Sequence, residues 1–530
     1  MSVSLTRRGL FLSSAALALV HGLPQAAFAQ GAGRLSVAAD SEPRQLNPAI
    51  VASNGVFFIS SKVVEPLAEA AYGGGLTPLL ATGWEGSDDG LSITFHLREG
   101  VTWHDGQPFT AADVAFSAME VWKPLQNIGR SLFANLDRVD TPDDHTAVFV
   151  FAQPTPLQLI ELALPVVSSV LPKHIYEGTD IAANPANSAL IGTGPFTWGE
   201  YRPGEYFLLK KNPAYWQPDL PRVDEIVYRV LPDRAAAASS LEAGEIQLAA
   251  FSAVPLVDLD RIGKVPGLEV VTKGYEALTY QLVVEINHRN EYLSDLKVRQ
   301  AVAHAIDRQF VLDTIFLGYA APATGPIPAN DPVFYTPDVT TYAFDVDAAN
   351  ALLDEAGYPR GADGTRFALR LLPAPYFNET RQFGDYLRQA LAAIGIDATI
   401  VANDSAGHQA AVYTDHEFDL AVAPPVFRAD PAISTTNLVR SGLPAGVSFS
   451  NQGGYVNAAL DALIDEALTT LDPAARVALY KQFQQIVTAD LPLINVADWS
   501  FTSVVSDRVE NVADNPRWAV SNWANVGLTS

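Results

Sequence analysis

Residue types capable of covalent chemistry are present in this chain, but not at the spacings such chemistry needs. No serine stands in a Gly-x-Ser-x-Gly elbow, no Gly-x-x-x-x-Gly-Lys loop cradles a phosphate, and no Gly-x-Gly-x-x-Gly turn receives a dinucleotide. His416-Glu417 opens like a zinc-protease pair, yet Leu420 occupies the place of the second histidine. The nine histidines are scattered, none closer than eight residues to the next, and the pair His408 and His416 reads as surface residues rather than metal ligands. With no cysteine, the chain has no disulfide, zinc thiolate, thiol nucleophile or lipid-attachment site. Carboxylates are too many, 59, for a glycosidase pair to be singled out. These residues give no catalytic group, cofactor or metal, and the chain reads as a non-enzyme. It is rich instead in aromatic side chains, 8 Trp, 18 Tyr and 25 Phe, which supply the flat apolar walls and polar edges of a cleft for an amphipathic solute.

The elements that would hold such a cleft alternate between helix and strand. Residues 35–39 read as a strand, 92–98 and 145–151 alternate polar and apolar with period 2, and 206–210 and 225–231 are extended. Thr110 and Asp113 form a capping box for a helix running to Trp122. Residues 295–317 predict the strongest helix, capped by Ser294 and stopped by Gly318. After Asp345 the order is helix, strand, helix, strand, which argues for parallel strand pairs, and Asp472 with Pro473 starts a final long helix. A Pro/Gly/Asn-rich passage at 184–195 marks a crossing between domains. Length and apolar content suffice for two or three domains.

The N-terminus reads as a twin-arginine export leader: Arg7-Arg8, an apolar run over 11–20, and Ala27-Phe28-Ala29 before a mature start at Gln30. That apolar run is shorter than the roughly 20 residues a membrane span requires. The net charge of −25, more negative once the leader is removed, disfavours nucleic acid as a partner. A freely diffusing periplasmic protein fits these features.

Several segments together resemble the peptide/nickel class of ABC-transporter solute-binding proteins, the dipeptide- and oligopeptide-binding family 5. They are Leu46-Asn47-Pro48-Ala49, Val64-Glu65-Pro66-Leu67, the run from Phe95-His96-Leu97-Arg98 through Trp103-His104-Asp105-Gly106, Gly192-Thr193-Gly194-Pro195-Phe196, Asn212-Pro213-Ala214-Tyr215-Trp216, and Val298-Arg299-Gln300-Ala301 with Ala305-Ile306-Asp307-Arg308. The resemblance implies an α/β fold of the type II periplasmic-binding-protein kind, two α/β lobes joined by a hinge with an extra inserted domain. The expected organisation is a signal peptide at 1–29, lobe I at 30–62, 190–270 and 496–530, the inserted domain II at 63–189, and lobe II at 271–495. It further implies a monomer that carries a peptide or peptide-like solute to ABC-transporter permease subunits. The other readings are a secreted hydrolase of peptide-like substrates, a periplasmic chaperone, or a binder of an opine, glycoside or metal chelate. Gly100, Gly106 and Gly194 fit tight turns, and Arg299 and Asp307 fit surface ion pairs.

Relatives that take free peptides hold the α-ammonium with an Asp in a loop after a buried strand, usually following Gly-Trp. Here Phe418-Asp419-Leu420-Ala421-Val422 is that strand, and the loop reads Ala423-Pro424-Pro425-Val426-Phe427-Arg428-Ala429-Asp430-Pro431. The resemblance makes Asp430 the candidate ammonium holder, with Arg428, Phe427, Gly194 and Asp419 as further ligand-site candidates. An Asp also suits a cap into the next turn. Ala423-Pro424 replaces Gly-Trp, and Arg428 adds a cation able to pair with Asp430 or to grip a ligand carboxylate or phosphate.

Overall fold

A computed structural model describes residues 33–43 and 45–529, so the expected leader lies outside the described residues. Two mixed sheets organise the chain. The first has seven strands in the order Leu268–Val271, Ser503–Ser506, Leu248–Ala249, Arg34–Ala39, Glu225–Val230, Tyr206–Lys211 and Phe196–Arg202. Its central strand Arg34–Ala39 runs parallel to both neighbours. The second has six, in the order Ala320–Pro322, Leu493–Trp499, Tyr280–Ile286, Leu420–Ala423, Phe367–Pro373 and Ile396–Ile400. Here Phe367–Pro373 pairs in parallel on both sides, because helix Asn378–Ala393 supplies a crossover to Ile396–Ile400. That helix buries Phe383, Leu387 and Leu391, one apolar residue per turn, against the sheet. All seven residues of Leu493–Trp499 are buried, as befits a strand covered on both faces.

A third unit interrupts the first lobe between Arg34–Ala39 and Phe196–Arg202. It is a four-stranded antiparallel sheet, Ala81–Gly86, Ser92–Leu97, Thr146–Phe151 and Leu136–Asp143, packed through Phe95 and Phe149 at 5.0 Å. Period-2 alternation put Ile93, Phe95 and Leu97 on its inner face. Its apolar residues join those of the first lobe in one continuous core, while most of the second lobe's apolar residues form separate clusters. The passage after residue 184 leads from this unit into Phe196–Arg202, and Gly192 and Gly194 press against the backbone of Lys62 and Val63 there.

Among the described residues, two connections join the sheets. Residues 272–279 lead from Leu268–Val271 to Tyr280–Ile286, and residues 500–502 lead from Leu493–Trp499 to Ser503–Ser506. Two short connections between paired strands make a hinge, since few backbone torsions need change for the lobes to rock. No helix of the described residues is long and apolar enough to cross a membrane.

Some local expectations change. The helix expected over 295–317 is two, Leu296–His304 and Arg308–Thr314, because Asp307 leaves helical geometry to cap the second by accepting from the Phe310 N–H at 3.0 Å. The first is capped by Asp295, not Ser294. Arg299 makes no ion pair among the described residues; it is buried and donates to the carbonyls of Leu293, Ser294 and Asp490 at 2.8–3.0 Å. The helix capped at Thr110 turns from α to π geometry at Ser117. Gly100 and Gly106 have φ of +74° and +88°, as tight turns require, whereas Gly194 does not; it is glycine because of close approach.

Two buried groups of the second lobe are worth noting. His408 is 1% exposed rather than on the surface, neither ring nitrogen has a partner among the described residues, and burial lowers its pKa to about 4. Burial pushes Glu285 up to about 8, with a 3.0 Å hydrogen bond from the Tyr413 hydroxyl offsetting part of the shift. The folded chain keeps Glu285 protonated, and an unfolded chain ionises it near 4.5, so stability falls as pH rises from 4.5 through about 8. Glu285→Gln cannot ionise; thermal melts are expected to match the wild type near pH 4.5 and to exceed it near pH 8.

Candidate functional site

The loop after Leu420–Ala423 is fixed against the first crossing connection. The Gln281 N–H donates to the Pro425 carbonyl at 2.9 Å, and the Phe427 N–H donates to the Thr279 carbonyl at 2.8 Å. These bonds extend the pairing of Leu420–Ala423 with Tyr280–Ile286 one step beyond the strand and carry residues 426–430 to the junction of the lobes. Aromatic rings fill that junction: Tyr280 lies 5.0 Å from Phe501, 5.4 Å from Phe377 and 5.4 Å from Trp499, and Phe501 lies 5.0 Å from Phe251 of the first lobe. The Tyr280 hydroxyl also accepts from Asn54 of the first lobe at 3.4 Å.

Side chains leave this loop in different directions. Phe427 is buried and, with Ala429, walls a cavity of about 180 Å³. Tyr72, Leu76 and Leu162 of the inserted unit also line it, together with Glu276, Asp331 and Pro516. A larger crevice of about 690 Å³ opens on another side of the junction, between residues 232–235 and 255–257 of the first lobe and residues 314–317 and 376–382 of the second.

Asp430 points into the second lobe. Both its oxygens are taken by Arg476, which donates from Nη1 at 2.6 Å and from Nη2 at 2.9 Å, and both side chains have zero exposure. Oδ1 also caps the turn by accepting from the Ala432 N–H at 2.9 Å. Arg476 further donates to the Ala467 carbonyl at 2.9 Å and stacks over Tyr480 at 5.0 Å and Phe334 at 5.5 Å. Burial is the largest single influence and lowers the affinity of that guanidinium for its proton, but the charge and hydrogen bonds of Asp430, with those of Tyr480, together outweigh it and raise the pKa. The carboxylate expected to meet an ammonium is therefore paired inside the protein.

Arg428 has the opposite character. Its guanidinium has no carboxylate partner among the described residues; the side chain is half-buried, and burial lowers its pKa, with Tyr280 offsetting part of the shift and the charge of Arg517 adding to it. Arg517 is itself paired with Glu69 at 2.8 Å and donates to the Pro165 carbonyl at 2.6 Å, with its plane over Phe57. Close by on the first lobe, Lys62 is completely buried, donates to the Ala519 carbonyl at 2.9 Å and lies 4.2 Å over Trp523; burial holds its pKa well below the usual lysine range.

The remaining candidates lie elsewhere. Gly194 sits where the inserted unit returns to the first lobe, its carbonyl accepting from His104 and Asn212 at 3.0 Å each. Asp419 is at the far end of Leu420–Ala423 from the loop, where it accepts from the Arg370 N–H at 2.7 Å and from Asn290 at 3.1 Å. The structure thus brings together Phe427, Arg428 and Asp430 and adds Arg476, Arg517 and Tyr280. Arg476 stands one turn inside Pro473–Asp490, on the face that buries Tyr480, Phe483 and Val487, and a basic residue in that stripe is the signal for a buried partner. Among the described residues no group of three or more His, Cys, Asp or Glu could hold a metal ion.

Comparison with known proteins agrees with this architecture. Residues 75–443 match the family described as bacterial extracellular solute-binding proteins, family 5 Middle. The glutathione-binding protein GsiB of Salmonella typhi is 30% identical over 425 residues, covering 78% of this chain and 79% of that protein. The binding protein AgaA of A. tumefaciens R10, solved with agropinic acid, superposes with a TM-score of 0.77 at 25% identity, covering 94% of this chain and 99% of AgaA. NikZ of Campylobacter jejuni, solved with Ni(L-His), shares the fold with a TM-score of 0.79 at 23% identity, covering 93% of this chain and 98% of NikZ. Two sheets hinged by a pair of crossing connections, a unit inserted into the first lobe and a match over most of the chain lead to one conclusion: the protein belongs to family 5 of the bacterial extracellular solute-binding proteins.

Proposed function

We propose that the protein works in the periplasm, as the twin-arginine leader indicates, where it captures a peptide or peptide-like solute between its lobes and hands it unaltered to the permease of an ABC importer. It acts as a monomer without cofactor or bond chemistry. The observation that carries this reading is the crevice of about 690 Å³ between two lobes that, among the described residues, are joined by two short connections. A solute touching both lobes favours the closed arrangement by its differential affinity, which gives capture on closing and release on opening. Aromatic rings and the loop bearing Phe427 and Arg428 line the approach to the hinge. The relatives above are named for binding glutathione or solved with agropinic acid or Ni(L-His), so one fold serves several ligand chemistries and the site must identify the cargo.

Native mass spectrometry of protein purified from the periplasm tests the reading. The expected result is one small molecule per chain, and return of an added peptide mixture with every peptide intact. Cleaved peptides would instead favour a secreted hydrolase.

A further inference from the structure

We infer that Arg234 and Glu379, which line the crevice from opposite lobes, determine its specificity: Arg234 receives a carboxylate of the cargo and Glu379 its ammonium, so that the cargo is a zwitterion. This deepens the solute-binding reading and rests on it.

Four charged side chains line the crevice, Asp233 and Arg234 from the first lobe and Glu379 and Arg381 from the second. Two of them are engaged within their own lobe. Asp233 caps helix Arg234–Glu242, accepting from the N–H groups of Ala235 at 2.8 Å and Ala236 at 3.2 Å. Arg381 donates to the Pro375 carbonyl at 3.2 Å and to the Asn378 side chain at 2.5 Å. Arg234 and Glu379 are half-buried, and neither side chain has a hydrogen bond or an ion pair among the described residues. One open cation and one open anion therefore stand on opposite walls of a single space of about 690 Å³.

Their places along the chain sharpen the assignment. Arg234 is the first residue of its helix, where the positive end of the dipole disfavours a cation. Glu379 lies in the first turn of Asn378–Ala393, where the same effect favours an acid. The helix thus accounts for Glu379 but not for Arg234. A carboxylate entering beside Arg234 is attracted by the guanidinium and the helix end together, and the planar fork offers it two parallel N–H bonds. An ammonium needs an acid with open lone pairs. Asp233 already caps a helix, and the loop carboxylate of Asp430 is held by Arg476, which leaves Glu379. Leu317, Tyr376 and Phe377 line the same space and offer an apolar wall to the solute's side chain. With the cation on one lobe and the anion on the other, a solute bearing both charges is held at both ends once the lobes close, and excluding water strengthens each contact.

The test uses the full mature protein and three probes: alanyl-phenylalanine with free termini, its N-acetylated form and its C-amidated form. Each is titrated by calorimetry into wild type, Arg234→Gln and Glu379→Gln, with thermal melts establishing that both variants are folded. Native mass spectrometry identifies the copurifying molecule and compares its occupancy in the three proteins. The expected molecule carries both an amino and an acid group, and its occupancy falls in each variant. The free dipeptide should bind more tightly than either blocked form, and the losses should be matched to charge. Glu379→Gln weakens the free and amidated forms at least about tenfold and leaves the acetylated form unchanged, whereas Arg234→Gln weakens the free and acetylated forms and leaves the amidated form unchanged. Where wild type takes up no dipeptide, the occupancy of the copurifying molecule decides. A loss equal for all three probes would mean that the two residues pair with each other on closure, and it overturns the assignment. So does an unchanged affinity or occupancy, or a copurifying molecule lacking either charge; solute binding then still stands. Absence of a copurifying molecule together with no binding of any probe overturns both.

Discussion

Replacing Asp430 with alanine is expected to destabilise the second lobe by about 3–5 kcal/mol, the cost of leaving one member of a buried ion pair alone. The partner left behind, Arg476, has no exposure and donates to Asp430 from both terminal nitrogens. It cannot reach water without displacing Phe334 and Tyr480, over which it stacks. The Ala432 N–H loses its cap at the same time. Asp430→Asn should cost less, since it retains an oxygen for one of the two bonds. The double variant Asp430→Leu with Arg476→Met should recover most of the loss, because apolar groups of similar volume commonly replace a buried pair without penalty. Because several units unfold in this chain, the measurement is hydrogen exchange over helix Pro473–Asp490, which reports that lobe directly. An Asp430→Ala protein with unchanged protection but lost solute binding would return Asp430 to the role of ammonium holder.

The second large effect is steric. A Cβ on Gly192 would stand 1.8 Å from the Val63 carbonyl oxygen and 2.6 Å from its carbon, and one on Gly194 would stand 2.6 Å from the Lys62 oxygen. Both contacts are with backbone at the return from the inserted unit, where no side-chain rotation relieves them. Overpacking a well-filled interior costs about 1–3 kcal/mol, and Gly192→Ala is expected to reach or pass the upper end because the obstructing atoms cannot move alone. Gly100→Ala is the control: its φ is +74° but nothing lies within 4 Å, so only the backbone cost of about 1–2 kcal/mol applies. Thermal melts should rank wild type above Gly100→Ala and Gly100→Ala well above Gly192→Ala. An equal shift for the two would mean that the junction yields more easily than its contacts indicate.

Local features were legible in the sequence wherever neighbours along the chain decide the outcome. Alternation located Ser92–Leu97 and Thr146–Phe151, and the order after Asp345 announced the parallel pair Phe367–Pro373 and Ile396–Ile400. Asp472 and Pro473 start the last long helix as their types require. The break at Asp307 was missed because apolar spacing continues across it while the capping carboxylate ends the first helix. The site was legible only in part. The resemblance drew attention to the loop, but Asp430 meets a residue 46 positions later, and the charge that Arg428 feels from Arg517 comes 89 positions later. Pairings of that range leave no periodic trace, so whether Arg428 would pair with Asp430 or stay open could be answered only by the folded geometry.

Delivery of a solute requires two lobes that close around it, and the lack of cysteine in the chain makes their separation directly measurable. Spin labels at Val257→Cys, 75% exposed beside the crevice on the first lobe, and Phe310→Cys, 47% exposed on the second, leave the core untouched. Pulsed dipolar spectroscopy of solute-free protein should give a broad, longer distance distribution that shortens and narrows when the copurifying molecule is added. A single distribution unchanged by any bound solute would contradict closure between the lobes and, with it, the transport role.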